Sequence, residues 1–114
     1  MRDELKTFAN NLKIYMDYYQ MTQTELATRL NTDQASVSRW MTGIMFPRIG
    51  KIDEMCEVFR CSRSDLIERE QSYDTIRRKL KINKLMAHID TLNDEGIDKT
   101  ISFIQDLSER YKVK

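Results

Sequence analysis

The chain has 114 residues, of which 40% are apolar and 32% are charged. This composition is typical of a small globular protein and excludes a disordered chain. The formal net charge is only +1, so binding to a polyanion cannot rest on an overall positive field and requires local placement of charge.

The chain is poor in residues that interrupt helices. It has three glycines and one proline, which favours helices joined by short connections. No apolar run approaches the roughly 20 residues of a membrane span, and the opening stretch MRDELKTFAN lacks the apolar core of a signal peptide. We therefore expect a cytoplasmic protein with no membrane partner.

The first two helices are predicted from periodicity and capping. Apolar side chains recur at helical spacing over residues 4–19, which indicates a first helix. Thr22 is followed three residues later by Glu25, and this pair is the signature of a capping box. A second helix is predicted from Gln23 to about Leu30.

A sharp turn and a third helix follow. Asn31 tolerates the positive φ that such a turn requires better than most residues other than glycine. Asp33 is a suitable N-cap for a helix over residues 34–41. Gly43 and Pro47 then supply the residues that usually end a helix.

Two further helices complete the first part of the chain. Apolar spacing predicts a fourth helix over residues 49–59, and Ser62 with Asp65 predicts a capped fifth helix that reaches about Arg69. Residues 71–79 are polar and fit either a linker or a helix extension.

The C-terminal residues 80–114 predict a helical hairpin. Two apolar stripes at helical spacing are separated by NDEG, in which Asn93 is a suitable cap. Two amphipathic helices have too little interior to be stable alone, so their stripes must be covered either by the chain's own first part or by a second copy. We favour a homodimer. The residues predicted to form its contact are Leu85, Ile89, Leu92, Ile97, Ile101, Ile104 and Leu107.

The second and third helices satisfy the packing requirements of a helix-turn-helix. Two helices that cross at roughly 90–120° through a short turn need a small residue at the crossing, a left-handed turn residue and an apolar wedge. Ala27 is the small residue and Asn31 the turn residue. The apolar wedge consists of Leu26, Leu30, Val37 and Trp40.

These residues carry a family resemblance. The stretch that contains TQTELA, VSRW, Gly43 with Pro47, and SRSDL resembles the lambda-repressor/Cro-like (XRE) helix-turn-helix family over residues 8–68. The resemblance implies an all-α fold, in which a five-helix DNA-binding domain over residues 1–70 precedes the hairpin. It also implies a dimeric transcriptional repressor, of the phage or mobile-element type, whose partner is a double-stranded DNA operator.

The resemblance also assigns the candidate site. In this family's docking mode the second helix of the motif lies in the major groove. The positions that match the family's base-reading residues are Gln34, Ala35, Ser38 and Arg39. Gln pairs bidentately with adenine, Arg with guanine, and Ala contacts a thymine methyl. The predicted phosphate contacts are Gln23, Thr24, Ser36, Thr42 and Arg48.

The sequence departs from the family pattern in two places. Asn31 stands where the family usually has glycine, and the loop GIMFPR is apolar where relatives more often carry polar or basic residues. We expect Ile44, Met45 and Phe46 to pack partly inward; the alternative is a patch that binds an anti-repressor protein. The basic run over residues 77–84 fits either a contact with flanking DNA or a solvated helix face.

Other chemistry has little support in the sequence. Cys56 and Cys61 do not have a zinc-ligand spacing and are predicted to be small hydrophobic residues. There is no glycine-rich phosphate loop and no supported nucleophile–base pair, so we predict neither an enzyme nor a cofactor. The alternative function is an antitoxin, which binds a toxin protein and regulates its own promoter.

Overall fold

The computed structural model describes the backbone of residues 2–113 and the side chains of residues 4–113. Within that range the chain forms helices and connections and no strand, which confirms the predicted all-α fold. The helices are α1 (Arg2–Tyr18), α2 (Gln23–Arg29), α3 (Gln34–Met41), α4 (Ile49–Phe59), α5 (Ser64–Glu68), α6 (Tyr73–Ile89) and α7 (Asp94–Arg110). The predicted bounds of the first four helices agree with these to within two residues.

The predicted capping interactions are present at the starts of α2 and α3. The Glu25 N–H donates to Thr22 Oγ1 at 3.1 Å, and the Thr22 N–H donates to Glu25 Oε1 at 3.0 Å. The Ser36 N–H donates to Asp33 Oδ1 at 2.8 Å. Each bond satisfies an amide that has no partner inside its helix.

Helices α1 to α4 are each followed within two residues by a residue with positive φ. These residues are Gln20 (52°), Asn31 (53°), Gly43 (73°) and Arg60 (56°). After each of them, the next N–H bonds to the carbonyl five residues earlier, as in the Schellman motif. The four bonds are Met21 to Met16 (2.8 Å), Thr32 to Ala27 (2.9 Å), Ile44 to Arg39 (3.0 Å) and Cys61 to Cys56 (3.0 Å). Each of the first four helices is therefore terminated by the same type of hydrogen-bonded turn.

The described residues divide into two compact units, one ending at Leu80 and the other beginning at Lys81. In the first unit, α1 packs on α3 and on the single wide turn of α5, and the Tyr15 and Phe59 rings stack at 5.2 Å. The buried side chains of this core are Phe8, Leu12, Tyr15, Met16, Leu26, Ala27, Leu30, Val37, Trp40, Ile52, Met55, Phe59, Leu66 and Ile76.

The start of α6 belongs to this first core. Residues 73–79 are helical, Ile76 is 1% exposed, and Leu80 packs against the core. Lys79 Nζ lies 2.6 Å from Asp65 Oδ1, and this partner lowers the pKa of the Asp65 carboxyl against the opposing effect of its burial. The first two turns of α6 thus complete the unit that contains α1 to α5.

Asn11 is a buried polar side chain, 1% exposed, that joins α1 to α5 and to the segment after it. Its Nδ2 donates to the Leu66 carbonyl at 2.9 Å and to the Arg69 carbonyl at 2.7 Å. Its Oδ1 accepts from the Gln71 N–H at 2.9 Å. This one side chain therefore satisfies backbone groups of a segment that has little regular structure of its own.

Replacing Asn11 by leucine is expected to lower the free energy of unfolding by about 2–4 kcal/mol, because buried backbone groups lose their partners. Urea unfolding followed by circular dichroism measures the change. Asn10→Leu is the matched control, since Asn10 is the exposed neighbour of Asn11 on the same helix. Equal stability losses in the two variants would contradict the role assigned to Asn11.

The second unit contains the rest of α6, a short turn and α7. Asn93 caps α7 as predicted, with its Oδ1 accepting from the Gly96 N–H at 2.9 Å. None of the described residues 81–113 is buried, and Ile101 is 50% exposed. The apolar stripe of this unit is therefore largely uncovered. Within residues 2–113, no helix is both long enough and apolar enough to cross a membrane.

Candidate nucleic-acid interface

Helices α2 and α3 are held together by the apolar wedge that the sequence predicts. Leu26 and Leu30 of α2 and Val37 and Trp40 of α3 are buried, and so is Ala27 at the crossing. Because these residues occupy the inner sides of both helices, the remaining side of α3 is directed outward.

The turn between α2 and α3 is stabilised by the conformation of Asn31 and by a contact from α4. Asn31 adopts φ 53°, so it takes the left-handed conformation predicted for it. From α4, the Lys51 ammonium donates to the Leu30 carbonyl at the end of α2 and lies 3.1 Å from Glu54 Oε2. A cation at this position also interacts favourably with the C-terminal end of the α2 dipole. Lys51 was not predicted, because no local pattern signals a contact 21 residues away.

The four candidate base-reading residues lie on the outward side of α3. Gln34, Ala35 and Arg39 are exposed and Ser38 is half-buried. At 3.6 residues per turn these positions fall within one arc, opposite the buried Val37 and Trp40. The arrangement presents an amide, a methyl, a hydroxyl and a guanidinium side by side, which are the groups that read base edges in a major groove.

The candidate phosphate contacts come from three elements. Gln23 and Thr24 open α2 and Arg48 directly precedes α4. Ser36 is half-buried in α3. The Thr42 hydroxyl donates to the Ser38 carbonyl at 2.9 Å, so its proton is already engaged. Thr24, Thr42 and Arg48 are exposed and Gln23 is half-buried.

Comparison with known proteins identifies this arrangement. Residues 11–72, more than half of the chain, match the family of Cro/C1-type HTH DNA-binding domains. The chain belongs to this family. The resemblance predicted from the sequence is confirmed, and the protein is a helix-turn-helix DNA-binding transcriptional regulator.

Two solved structures resemble this Cro/C1-type protein. The solution structure of the SOS-response transcriptional repressor LexA from Eubacterium rectale has 30% identity and a TM-score of 0.58, covering 60% of this chain and 73% of that chain. The crystal structure of a transcriptional regulator from Listeria innocua has 21% identity and a TM-score of 0.53, covering 93% of this chain and 96% of that chain. The second likeness shows a shared fold over nearly the whole length. No curated protein gives a significant match.

The charge around α3 of the Cro/C1-type domain is sparse. Arg39 is the charged residue within α3 itself. At the N-cap, hydrogen bonds from the Ser36 side chain and amide lower the pKa of the Asp33 carboxyl, which therefore stays ionised at neutral pH. Because this carboxylate repels phosphate, it opposes phosphate contacts at the start of α3.

The loop between α3 and α4 is only partly packed. The Phe46 ring contacts that of Phe8 with their centroids 5.0 Å apart, whereas Ile44 is 70% exposed and Met45 is also exposed. Phe46 is also 36% exposed, so the partly inward packing predicted for the three residues is limited to this ring contact of Phe46 and is wrong for Ile44. In the Cro/C1-type domain this loop therefore leaves an exposed apolar side chain three residues after the end of α3.

The two cysteines of the domain are half-buried free thiols. Burial raises the pKa of Cys56 and raises that of Cys61 to about 12, so both remain protonated at neutral pH. Among the residues that the structure describes, no group of three or more His, Cys, Asp or Glu side chains is placed to hold a metal ion. The thiols thus behave as small packing residues.

Proposed function

We propose that the protein is a dimeric repressor that inserts α3 into the major groove of a palindromic operator. The supporting observation is the outward side of α3, where the four candidate base-reading residues lie together. In this proposal Arg39 pairs with a guanine, Gln34 pairs with an adenine, and Ala35 contacts a thymine methyl. Ser38 hydrogen-bonds to a base or a phosphate.

Phosphate contacts set the register of α3 in the groove. We assign these contacts to the residues at the edges of the motif: Gln23, Thr24 and Arg48 directly, and Ser36 and Thr42 when their hydroxyl protons turn to a phosphate from Asp33 and from the Ser38 carbonyl. Contacts of this kind position the protein without carrying sequence information. Because they come from α2, α3 and the start of α4, they hold α3 from both of its ends.

A dimer supplies the DNA affinity that a single domain lacks. The net charge is only +1 and α3 carries one basic side chain, so a monomer is expected to hold DNA weakly. Two copies related by a two-fold axis present two reading helices to half-sites roughly 34–36 Å apart. The uncovered stripe of the second unit supports self-association through Leu85, Ile89, Leu92, Ile97, Ile101, Ile104 and Leu107.

Replacing Ile101 by aspartate is expected to turn the dimer into a monomer at micromolar concentration, because a charge would be buried at the centre of the contact. Light scattering measures the mass. Ser102→Asp introduces the same charge at the neighbouring exposed position of α7, outside the stripe, and should leave the dimer intact. If Ile101→Asp keeps the dimer mass, the hairpin is not the interface.

Selection of bound sequences from random DNA tests the function itself. The expected result is an inverted repeat whose half-sites are about one helical turn apart. Transcription from a promoter that carries this sequence should fall when the protein is added. Enrichment of a single unsymmetrical site, or of no sequence, would contradict the dimeric repressor.

An antitoxin is the second candidate, and the exposed apolar Ile44 supports it. An antitoxin needs a protein-binding surface in addition to its DNA-binding helix. Co-expression with the product of the neighbouring gene distinguishes the two functions. A stable complex that relieves growth arrest by that product would favour the antitoxin, whereas the repressor requires no such partner.

A further inference from the structure

A concentration of positive charge on α6 is not used by the proposed function. Residues 77–84 include five basic side chains, and no residue from 77 to 89 is acidic. The basic residues are Arg77, Arg78, Lys79, Lys81 and Lys84, and all of them lie within one continuous helix. The rest of the chain carries 14 basic and 18 acidic side chains and is therefore net acidic, so this run stands out from it.

Part of this charge is engaged within the chain. Lys79 Nζ lies 2.6 Å from the mostly buried carboxylate of Asp65, so Lys79 has a structural partner. Arg77 Nη2 lies 3.0 Å from Asp74 Oδ1, but both side chains are at least half exposed, and exposed pairs of this kind contribute little. Lys81 and Lys84 have no ion-pair partner among the described residues.

Three of the cations share one side of the helix. Arg77, Lys81 and Lys84 stand at i, i+4 and i+7, so their side chains project in the same direction; we name these three residues the basic face. They span roughly 10 Å along the helix axis, a length over which duplex DNA presents roughly six phosphate charges. Leu85, four residues after Lys81, borders the basic face and Ile89 lies about a third of a turn away, so a second copy that covers the stripe flanks the basic face on one side.

We propose that the basic face binds the phosphate backbone of DNA as a contact additional to that of α3. This proposal rests on the proposed function, because the same duplex is bound by both elements. The chain belongs to a DNA-binding family, has almost no net charge and offers one cation from α3. Its affinity therefore has to be built from local clusters of cations, and this cluster is exposed and largely unpaired.

Contacts from the basic face raise affinity without adding sequence preference, since phosphates are the same at every base pair. Their signature is the dependence of binding on salt. Each phosphate contact contributes roughly 0.9 to the slope of log Kd against log salt concentration for B-DNA. Three contacts thus contribute up to about 2.7 for each bound chain.

The test compares the full-length wild type with a variant that carries Arg77→Gln, Lys81→Gln and Lys84→Gln. Fluorescence anisotropy gives Kd on a selected operator and on a base-substituted duplex from low to moderate salt. The variant is expected to lower the slope by up to about 2.7 for each bound chain, while the ratio of the two Kd values is unchanged. The matched control replaces one arginine and two lysines near the C-terminus by glutamine: Arg110, Lys99 and Lys112.

Each other outcome is decisive. An unchanged slope in the triple variant overturns the proposal, and so does an equal drop in the control, which would show an effect of total charge alone. If the triple variant keeps the wild-type salt dependence of DNA binding but loses binding to phosphatidylserine vesicles, the basic face binds a membrane surface instead. If the wild type prefers the operator and the slope of the variant is unchanged, only the proposal for the basic face is rejected. If the wild type does not prefer the operator, the proposed function itself is rejected.

Discussion

Replacing Arg39 by alanine is expected to remove most of the discrimination between the operator and a duplex with a substituted guanine. Arg39 is exposed on the outward side of α3, where a guanidinium reaches the two acceptors of a guanine edge. A bidentate pair of this kind contributes about 1–3 kcal/mol of discrimination, so Kd on the operator should rise between about fivefold and 150-fold for each half-site. The fold should persist, because alanine is a good helix former and α3 is capped by Asp33.

Two further variants separate base reading from charge. Arg110→Ala removes an exposed arginine from α7 and should leave discrimination unchanged. Arg39→Lys keeps the positive charge but loses the planar fork of donors, so it should retain binding to unrelated DNA and lose part of the preference for the operator. If Arg39→Lys matches the wild type on both duplexes, Arg39 acts as a phosphate contact and not as a base reader. Circular dichroism confirms that each variant is folded.

The elements around α3 could be predicted because their determinants are local. The capping bonds of Thr22 with Glu25 and of Asp33 with Ser36 join residues three positions apart. The conformation of Asn31 follows from its own side chain. Interactions within a single helical turn leave a recognisable pattern in the sequence, and so the bounds of α2 and α3 were predicted to within one residue.

Other features could not be predicted because they depend on distant contacts. Asn11 binds carbonyls more than 50 residues away, and Lys51 binds the end of α2 from another helix. Gln20 and Arg60 take positive φ although neither residue type favours it, so the packing of the helices on either side has to impose the turn. None of these contacts has a sequence signature.

The segment 71–79 shows why periodicity left two alternatives open. Ile76 is its buried apolar residue, and one such residue does not establish a helical period.

The base preference of the four candidate base-reading residues could not be predicted either. The sequence and its family resemblance predicted which side of α3 is exposed, whereas the bases that it contacts depend on a DNA partner whose sequence the chain does not encode.

Removing the start of α6 is expected to lower the stability of the DNA-binding domain strongly. A chain that ends after Ser72 contains the whole family match, residues 11–72, yet it is expected to lose much of its stability. Truncation removes Ile76, which is 1% exposed, and Leu80, which packs on the same core. It also leaves Asp65 without Lys79. We therefore propose that the DNA-binding domain extends to Leu80, and that a chain ending there unfolds at a clearly higher urea concentration than one ending at Ser72.

A point substitution isolates the contribution of Ile76 in the full-length chain. Ile76→Ala should lower the free energy of unfolding by about 2–5 kcal/mol, the range for truncating a buried isoleucine. Ile82→Ala makes the same change on the same helix, where Ile82 is 45% exposed, and its effect should be smaller. Ile82 lies beside the predicted dimer contact, so the stability loss caused by Ile82→Ala should also vary with protein concentration. The loss caused by Ile76→Ala should not. Equal and concentration-independent losses would show that α6 does not complete the core of the first unit.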